Sequence, residues 1–165
     1  MHLLKPDFYF DSIFSVPYDH LYKQGIRGLI YDIDNTLVSH ADVRPPGKIV
    51  SLVKKLQGMG FYVGLLSNNT PKRMREFNEK MNLPCASRAA KPFAFSLKKL
   101  MKKMGMMPAE VAIIGDQLFA DVWCGKRAGI TTVLVKPITK TEVVTVRLKR
   151  GLERKFLKRY YEAGV

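Results

Sequence analysis

The 165-residue chain has few cysteines, a single tryptophan and half as many acids as bases. Its two cysteines, Cys85 and Cys124, exclude a disulfide framework and are expected as reduced, packed thiols. No apolar run approaches the roughly 18 residues that a membrane-crossing helix needs. The first residues, MHLLKPDFYFDSIF, are interrupted by Lys5, Pro6, Asp7 and Asp11, which excludes the continuous apolar core of a secretory signal. Internal repeats and low-complexity segments are lacking too. With 47% hydrophobic residues, the chain is expected to form one domain over residues 1–165, with one sizeable core, in the cytoplasm.

The most informative stretch that is present runs from Gly28 to Val38, GLIYDIDNTLV. It is a short apolar run ending in two aspartates one residue apart. Carboxylates repel each other and are costly to desolvate, so a pair beside a buried strand needs a reason. In extended backbone Asp32 and Asp34 point the same way while Ile33 turns back into the core. Oxygens gathered at a strand end are a natural seat for a hard divalent cation such as Mg²⁺. Asn35-Thr36 then turns the chain.

Three further pieces follow in order. FYVGLL ends in Ser67-Asn68-Asn69; AAKP places Lys91 before Pro92; VAIIGDQLFAD ends in Gly115-Asp116, with Asp121 five residues on. Together these resemble the haloacid dehalogenase superfamily of phosphatases and phosphotransferases, whose four motifs are DxDxT, a strand-ending Ser/Thr, a Lys and GDxxxxD. All four match in order and spacing. A lone DxD would be weak; four elements, three of them closing apolar runs, are specific.

Strand-like and helix-like pieces alternate along the chain. A helical pattern opens at Pro45-Pro46 and closes at Gly58 and Gly60, and a strand follows over 61–66. A basic helix is expected over 71–81, a short strand at Cys85-Ala86 and a helix over 92–104. A strand over 111–114, a helix over 118–127 and a strand over 131–135 complete the series. Repeated βα units imply a Rossmann-like, doubly wound, mainly parallel α/β sheet with helices on both faces. Ligands bind such sheets beyond the carboxyl ends of the strands, where strand order reverses. Asp32, Ser67 and Asp116 all stand at carboxyl ends. Only about thirty residues separate Asp34 from Ser67, and fewer separate Ser67 from Lys91, so no cap domain fits. An uncapped site suits a phosphate carried on something large.

The charge is +14, from 28 Lys and Arg against 14 Asp and Glu. The excess is concentrated in Lys98-Lys99, Lys102-Lys103 and a terminal segment at about 139–161. That segment interleaves Leu148, Leu152, Phe156, Leu157 and Tyr160 with Arg147, Lys149, Arg150, Arg154, Lys155, Lys158 and Arg159. It reads as a basic amphipathic helix, fit either to pack its apolar stripe on the domain or to meet an anionic membrane. Nucleic acid or ribosome ranks behind both, for want of a stacking platform or binding motif. The N-terminal cluster Phe8, Tyr9, Phe10, Ile13 and Phe14 could cover a sheet face or dip into a bilayer interface.

From LLKPDFYF through the DxDxT run, the chain is similar to the small uncapped YqeG family, in subclass III of the superfamily, which is related to the mitochondrial phosphatidylglycerophosphate phosphatases. That resemblance implies a Mg²⁺-dependent phosphomonoesterase working through an aspartyl-phosphate. It makes Asp32 the nucleophile and Asp34 the acid and then base, with the backbone carbonyl of Asp34 on the metal. Ser67, Asn68 and Lys91 would hold the phosphoryl group. Asp32, Asp34 and Asp116 would bind Mg²⁺, and Asp121 would brace it from the second shell or through water. Thr36 and Asn69 would fix the loops, while His40 reads as a solvated loop residue. The expected substrate is phosphatidylglycerophosphate at the inner face of an anionic membrane. The alternatives are another phosphate ester (phosphoprotein, nucleotide or sugar phosphate) and a nucleic-acid or ribosome-associated basic protein on a phosphatase fold.

Overall fold

The computed structural model describes residues 3–139 together with 151, 155, 156 and 158. Its strands are β1 (Phe8–Phe10), β2 (Gly28–Tyr31), β3 (Tyr62–Leu66), β4 (Cys85–Ala86), β5 (Val111–Gly115) and β6 (Thr131–Val135). All pair in parallel, in the order β1-β6-β5-β2-β3-β4. The helices are α1 (Tyr18–Lys23), α2 (Gly47–Gly58), α3 (Pro71–Asn78), α4 (Phe95–Met104) and α5 (Trp123–Ala128).

Side-chain alternation splits the core into two layers. Leu29, Tyr31, Val63, Leu65, Ala112, Ile114, Val133 and Val135 face one cluster, which takes Leu21 from α1, Ile49, Val53 and Leu56 from α2, and Met74 and Phe77 from α3. Ile30, Leu66, Val111 and Ile113 face the other, filled by Leu97, Leu100 and Met101 of α4 and Cys124 and Ala128 of α5. The central strands are therefore apolar on both faces, as a doubly covered parallel sheet requires. Helices stand on both faces, and β2 and β3 are joined through α2 alone, with no cap between them. Both cysteines are free thiols. Among the described residues no helix is long and apolar enough to cross a membrane.

Four local features differ from the sequence-based expectation, each for a visible reason. The aromatic run Phe8–Phe10 adds a sixth strand on the sheet edge, from which Phe8 and Phe10 pack with Ile13 on one core layer as a face cover would, while Tyr9 and Phe14 stay exposed. Asp7 fixes the strand there, its Oδ2 accepting from Thr132 N at 2.8 Å and Thr132 Oγ1 at 2.9 Å. α3 stops at Asn78 rather than 81 because the Asn78 amide closes a turn, accepting from Leu83 N and donating to Leu83 O. The helix expected from Pro92 begins at Phe95, since Ala90 is left-handed (φ 55°) and the Lys91 backbone is bonded elsewhere. The helix expected over 118–127 is split into a π-helical turn (Leu118–Val122) and α5. Val122 N reaches back five residues to Gln117 O, a widening often found at functional sites.

Of the terminal segment at about 139–161, only Thr139, Gly151, Lys155, Phe156 and Lys158 lie within the described residues. Phe156 packs with Leu118, Val122 and Leu134 and meets Phe119 edge-on, with ring centroids 5.8 Å apart.

Candidate active site

From β2 the chain moves outward through β3 to β4, then crosses back to β5 and on to β6, so strand order reverses between β2 and β5. Tyr31 is in register with Ile114, and Asp32 N donates to Ile114 O at 3.0 Å. Asp32 and Asp116 thus leave adjacent strands side by side at the switch point. Ser67 leaves β3 beside them, and Lys91 follows β4.

The first half of the site is dry. Asp32, Asp116 and Asp121 are 5%, 2% and 1% exposed, and one carboxylate oxygen of each lies within 4.8 Å of the others. Lys91 Nζ donates to Asp32 Oδ1 at 2.5 Å, Asp121 Oδ1 at 2.6 Å and Leu66 O at 3.3 Å. Asp121 Oδ2 accepts from Gln117 N at 3.0 Å, so both of its oxygens are engaged. Thr36 Oγ1 donates to Asp116 Oδ1 at 3.1 Å. Gly115 makes the approach possible: a Cβ there would stand 2.2 Å from Asp121 Cγ.

Electrostatically this half carries too much negative charge for one lysine. Burial pushes Asp32 well above the usual carboxylate range, and Asp121 and Asp116 add to the rise against the pull of Lys91. Burial works against the charged form of Lys91, but Asp121 and Asp32 outweigh it and hold the ammonium above the ordinary lysine value. Asp32 Oδ2 is buried and has no hydrogen-bond partner among the described residues. Clustered hard oxygens, surplus negative charge and an orphaned carboxylate atom fit a divalent cation, which would reverse the direction for Asp32.

The second half surrounds Asp34. Ile33 is fully buried in the core, so Asp34 returns to the same side of the chain as Asp32. The surroundings differ. Asp34 Oδ2 accepts from Asn69 Nδ2 at 3.2 Å, and Oδ1 accepts from Arg73 Nη2 at 3.0 Å. His40 Nδ1 lies 3.6 Å from Oδ1. Asp34 contributes no side-chain atom to the acidic trio. Its loop is fixed at left-handed Asn35 (φ 65°), whose N donates to Val38 O, and Asn35 also accepts from Ile138 N and Thr139 Oγ1.

Ser67 Oγ accepts from Asn69 N at 3.0 Å, and the cap of α3 is Thr70 rather than Ser67. Asn68 lines the cleft, yet both ends of its amide serve the next loop: Oδ1 accepts from Lys91 N at 2.8 Å and Nδ2 donates to Lys91 O at 3.3 Å. Asp32, Asp34, Ser67, Asn68 and Lys91 share one cleft of about 310 Å³ with His40, Asn69, Gln117 and Ala120. Asp116 and Asp121 lie behind its lining, where Asp121 is bonded to Lys91 and Asp116 to Thr36. Two functional neighbours carry no strong sequence signal. Arg73 is one of three bases in PKRMREF, and only its place three residues after the Thr70 cap sets it apart. Gln117 acts through its backbone, which no side-chain pattern reveals.

A family model described as HAD-hydrolase-like matches residues 88–142. The chain is 30% identical over 152 residues to a Bacillus subtilis (strain 168) protein named "Probable phosphatase YqeG", covering 92% of this chain and 88% of that one. It is 25% identical to "Phosphatidylglycerophosphate phosphatase 1, chloroplastic/mitochondrial" of Arabidopsis thaliana, over 91% of this chain but only 46% of that protein. The fold is similar to the Moraxella catarrhalis 3-deoxy-D-manno-octulosonate 8-phosphate phosphatase, solved in complex with a magnesium ion, a phosphate ion and a KDO molecule. That likeness has a TM-score of 0.51 at 14% identity, over 72% of this chain and 83% of that one.

Proposed function

The chain belongs to the haloacid dehalogenase-like phosphatases, and from that premise we propose that it hydrolyses phosphatidylglycerophosphate through an aspartyl-phosphate on Asp32. The observation that carries the chemistry is the division of the site. One aspartate is pinned by Lys91 inside an acidic trio, and a second, two residues on, is held apart on the α3 side.

In the first step an oxygen of Asp32 attacks phosphorus, and the bond from phosphorus to the leaving alkoxide breaks. Asp34 gives its proton to that alkoxide. In the second step Asp34 takes a proton from water as the water attacks the aspartyl-phosphate, releasing inorganic phosphate and restoring Asp32. Proton transfer of this kind is typically worth about 10²–10⁴-fold. Lys91 keeps Asp32 aligned and, with Ser67, faces the phosphoryl oxygens, where fixed positive charge and donors favour the charge-rich transition state. Asn68 holds the Lys91 loop at the required distance. Asp32, Asp116 and the Asp34 backbone carbonyl would hold Mg²⁺, which would supply charge that offsets the incoming phosphate. Asp121 is the brace, because its two oxygens are already taken by Lys91 and Gln117 N.

A lipid substrate is supported by two exposed aromatics just past the Lys91 loop. Phe93 and Phe95, 62% and 78% exposed, follow directly on Lys91, and aromatic side chains favour the bilayer interface. With +14 of charge, the enzyme would work in the cytoplasm as a peripheral protein on an anionic inner membrane face. The test is phosphate release from phospholipids, nucleotides, sugar phosphates and phosphopeptides, with Mg²⁺ and with chelator. Mg²⁺-dependent release from phosphatidylglycerophosphate ahead of the rest is expected. Preference for a soluble ester overturns the substrate, and full activity in chelator overturns the mechanism.

A further inference from the structure

Among the described residues, Arg73 is the one fully charged side chain of the site that the reaction above leaves without a task. Its position is costly. The side chain is 11% exposed, as is that of Asp34, and its Nη1 is buried without a hydrogen-bond partner among the described residues. A cation so nearly desolvated needs compensation, and among the described residues its ion-pair partner is Asp34. The fold supports this placement in three ways. Pro71 and the Thr70 hydroxyl set the first turn of α3, with Thr70 Oγ1 accepting from Arg73 N at 3.3 Å. Phe77, one turn on, lies under the guanidinium with its ring centroid 6.0 Å from Cζ. Asn69, on the loop entering the same helix, takes the other oxygen of Asp34.

The consequence is a choice of orientation. Asp34 leaves the chain two residues from Asp32, on the same side, so its carboxylate could turn toward the acidic trio and any cation held there. Arg73 on Oδ1 and Asn69 on Oδ2 give it two bonds on the other side instead. We infer that Arg73 is a positioning residue for proton transfer: it holds the Asp34 carboxyl group on the α3 side of the cleft, facing the leaving oxygen and away from Asp32, Asp116 and Asp121. This rests on Asp34 as the proton donor and names what keeps it in place.

Leaving-group dependence provides the test, because a merely structural loss harms every substrate alike. Single-turnover formation of the phosphoenzyme is followed with an alkyl phosphate (glycerol 3-phosphate), whose leaving group needs a proton, and with p-nitrophenyl phosphate, which hardly does. R73Q should slow the first step on the alkyl ester by on the order of 10²-fold and on the aryl ester by less than about 5-fold. R73K keeps the charge but loses the forked geometry, and should show the same selective loss at about 10-fold. R75Q, on the exposed side of the same helix, should match the parent. Equal losses on both esters in R73Q, or no loss on either, overturn the inference. If R73Q melts below the assay temperature, R73K decides by the same ratio. D34N run in parallel separates the two layers of argument. A selective loss in D34N without one in the Arg73 variants removes Arg73 alone, whereas a non-selective loss in D34N removes the role of Asp34 and the inference with it.

Discussion

Asp32 and Asp34 are separated by a single residue and point to the same side of the chain, and both are buried, yet they meet two different sets of partners. Asp32 is packed with two other carboxylates and one lysine in a dry floor. Asp34 is held by an arginine and an amide at the wall of the cleft, with a loop histidine nearby. The proposed pairing of a nucleophile with a proton carrier requires this division, because two identical groups can perform opposite tasks only if their surroundings distinguish them. The difference does not come from the DxD repeat itself. It comes from what each strand end brings up: β5 and the loop after β4 supply the floor, and the loop after β3 with the start of α3 supplies the wall.

The largest effect should come from removing the attacking oxygen. Asp32→Asn should lower kcat by at least about 10⁴-fold on every ester, alkyl or aryl, because no other group replaces a covalent nucleophile. The same change removes one of three crowded carboxylates. In chelator the melting temperature should therefore rise, and the added stability that Mg²⁺ gives the parent should largely disappear. Calorimetric melts with and without the metal check both. Unchanged stabilisation by Mg²⁺ would place the ion elsewhere and end the contrast between floor and wall.

Lys91→Met tests the floor from its cationic side. Removing the ammonium that bridges Asp32 and Asp121 leaves buried, uncompensated charge, a loss of about 3–5 kcal/mol by analogy with other broken buried pairs. Mg²⁺ should restore part of it. Turnover should fall by about 10²–10³-fold, the usual loss when a fixed transition-state donor is deleted. The pH dependence has a definite sign. The folded-state value of Lys91 is raised, so its contribution is fully present below the free-lysine value of about 10.4 and fades only above it. The stability gap attributable to Lys91 should be full at neutral pH and narrow only in strong alkali. Denaturant titrations of parent and variant across that range measure the gap, and a gap that closes below pH 9 contradicts the assignment.

The floor was far more legible in the sequence than the wall. Each floor residue ends an apolar strand or follows it at fixed spacing, so Asp32 and Asp116 could be placed from the strand pattern, and Lys91 and Asp121 from their motifs; of the wall, Ser67 alone is marked in the same way by the end of β3. The sheet followed from the same runs, except β1, whose three residues are too few to show alternation and whose place depends on Asp7 meeting Thr132. The wall is made by tertiary approach. Arg73 looks like any base on a basic helix until α3 is docked against the β2 loop. The Asn68 amide reads as a ligand for phosphate until its bonds to the Lys91 backbone are seen. Helix ends were misplaced where a side chain closes the turn, as Asn78 does, or where the backbone widens around a functional residue, as it does before Asp121.

The smallest effect should come from the third neighbour of Asp34. His40 Nδ1 stands 3.6 Å from Asp34 Oδ1, beyond hydrogen-bond reach, on a side chain that is 59% exposed. Arg73, on the same oxygen, is 11% exposed and 3.0 Å away. Exposed charge pairs contribute about 0–1 kcal/mol, and salt screens them. His40→Gln should therefore change the single-turnover rate on an alkyl phosphate by less than about 5-fold. What little change there is should shrink as ionic strength rises. Measured beside R73Q, this variant shows whether the wall is ordered by its buried contact or by its loop. A loss in His40→Gln as large as in R73Q would mean that Asp34 is governed from the solvent side. Arg73 would then not be what orders the wall.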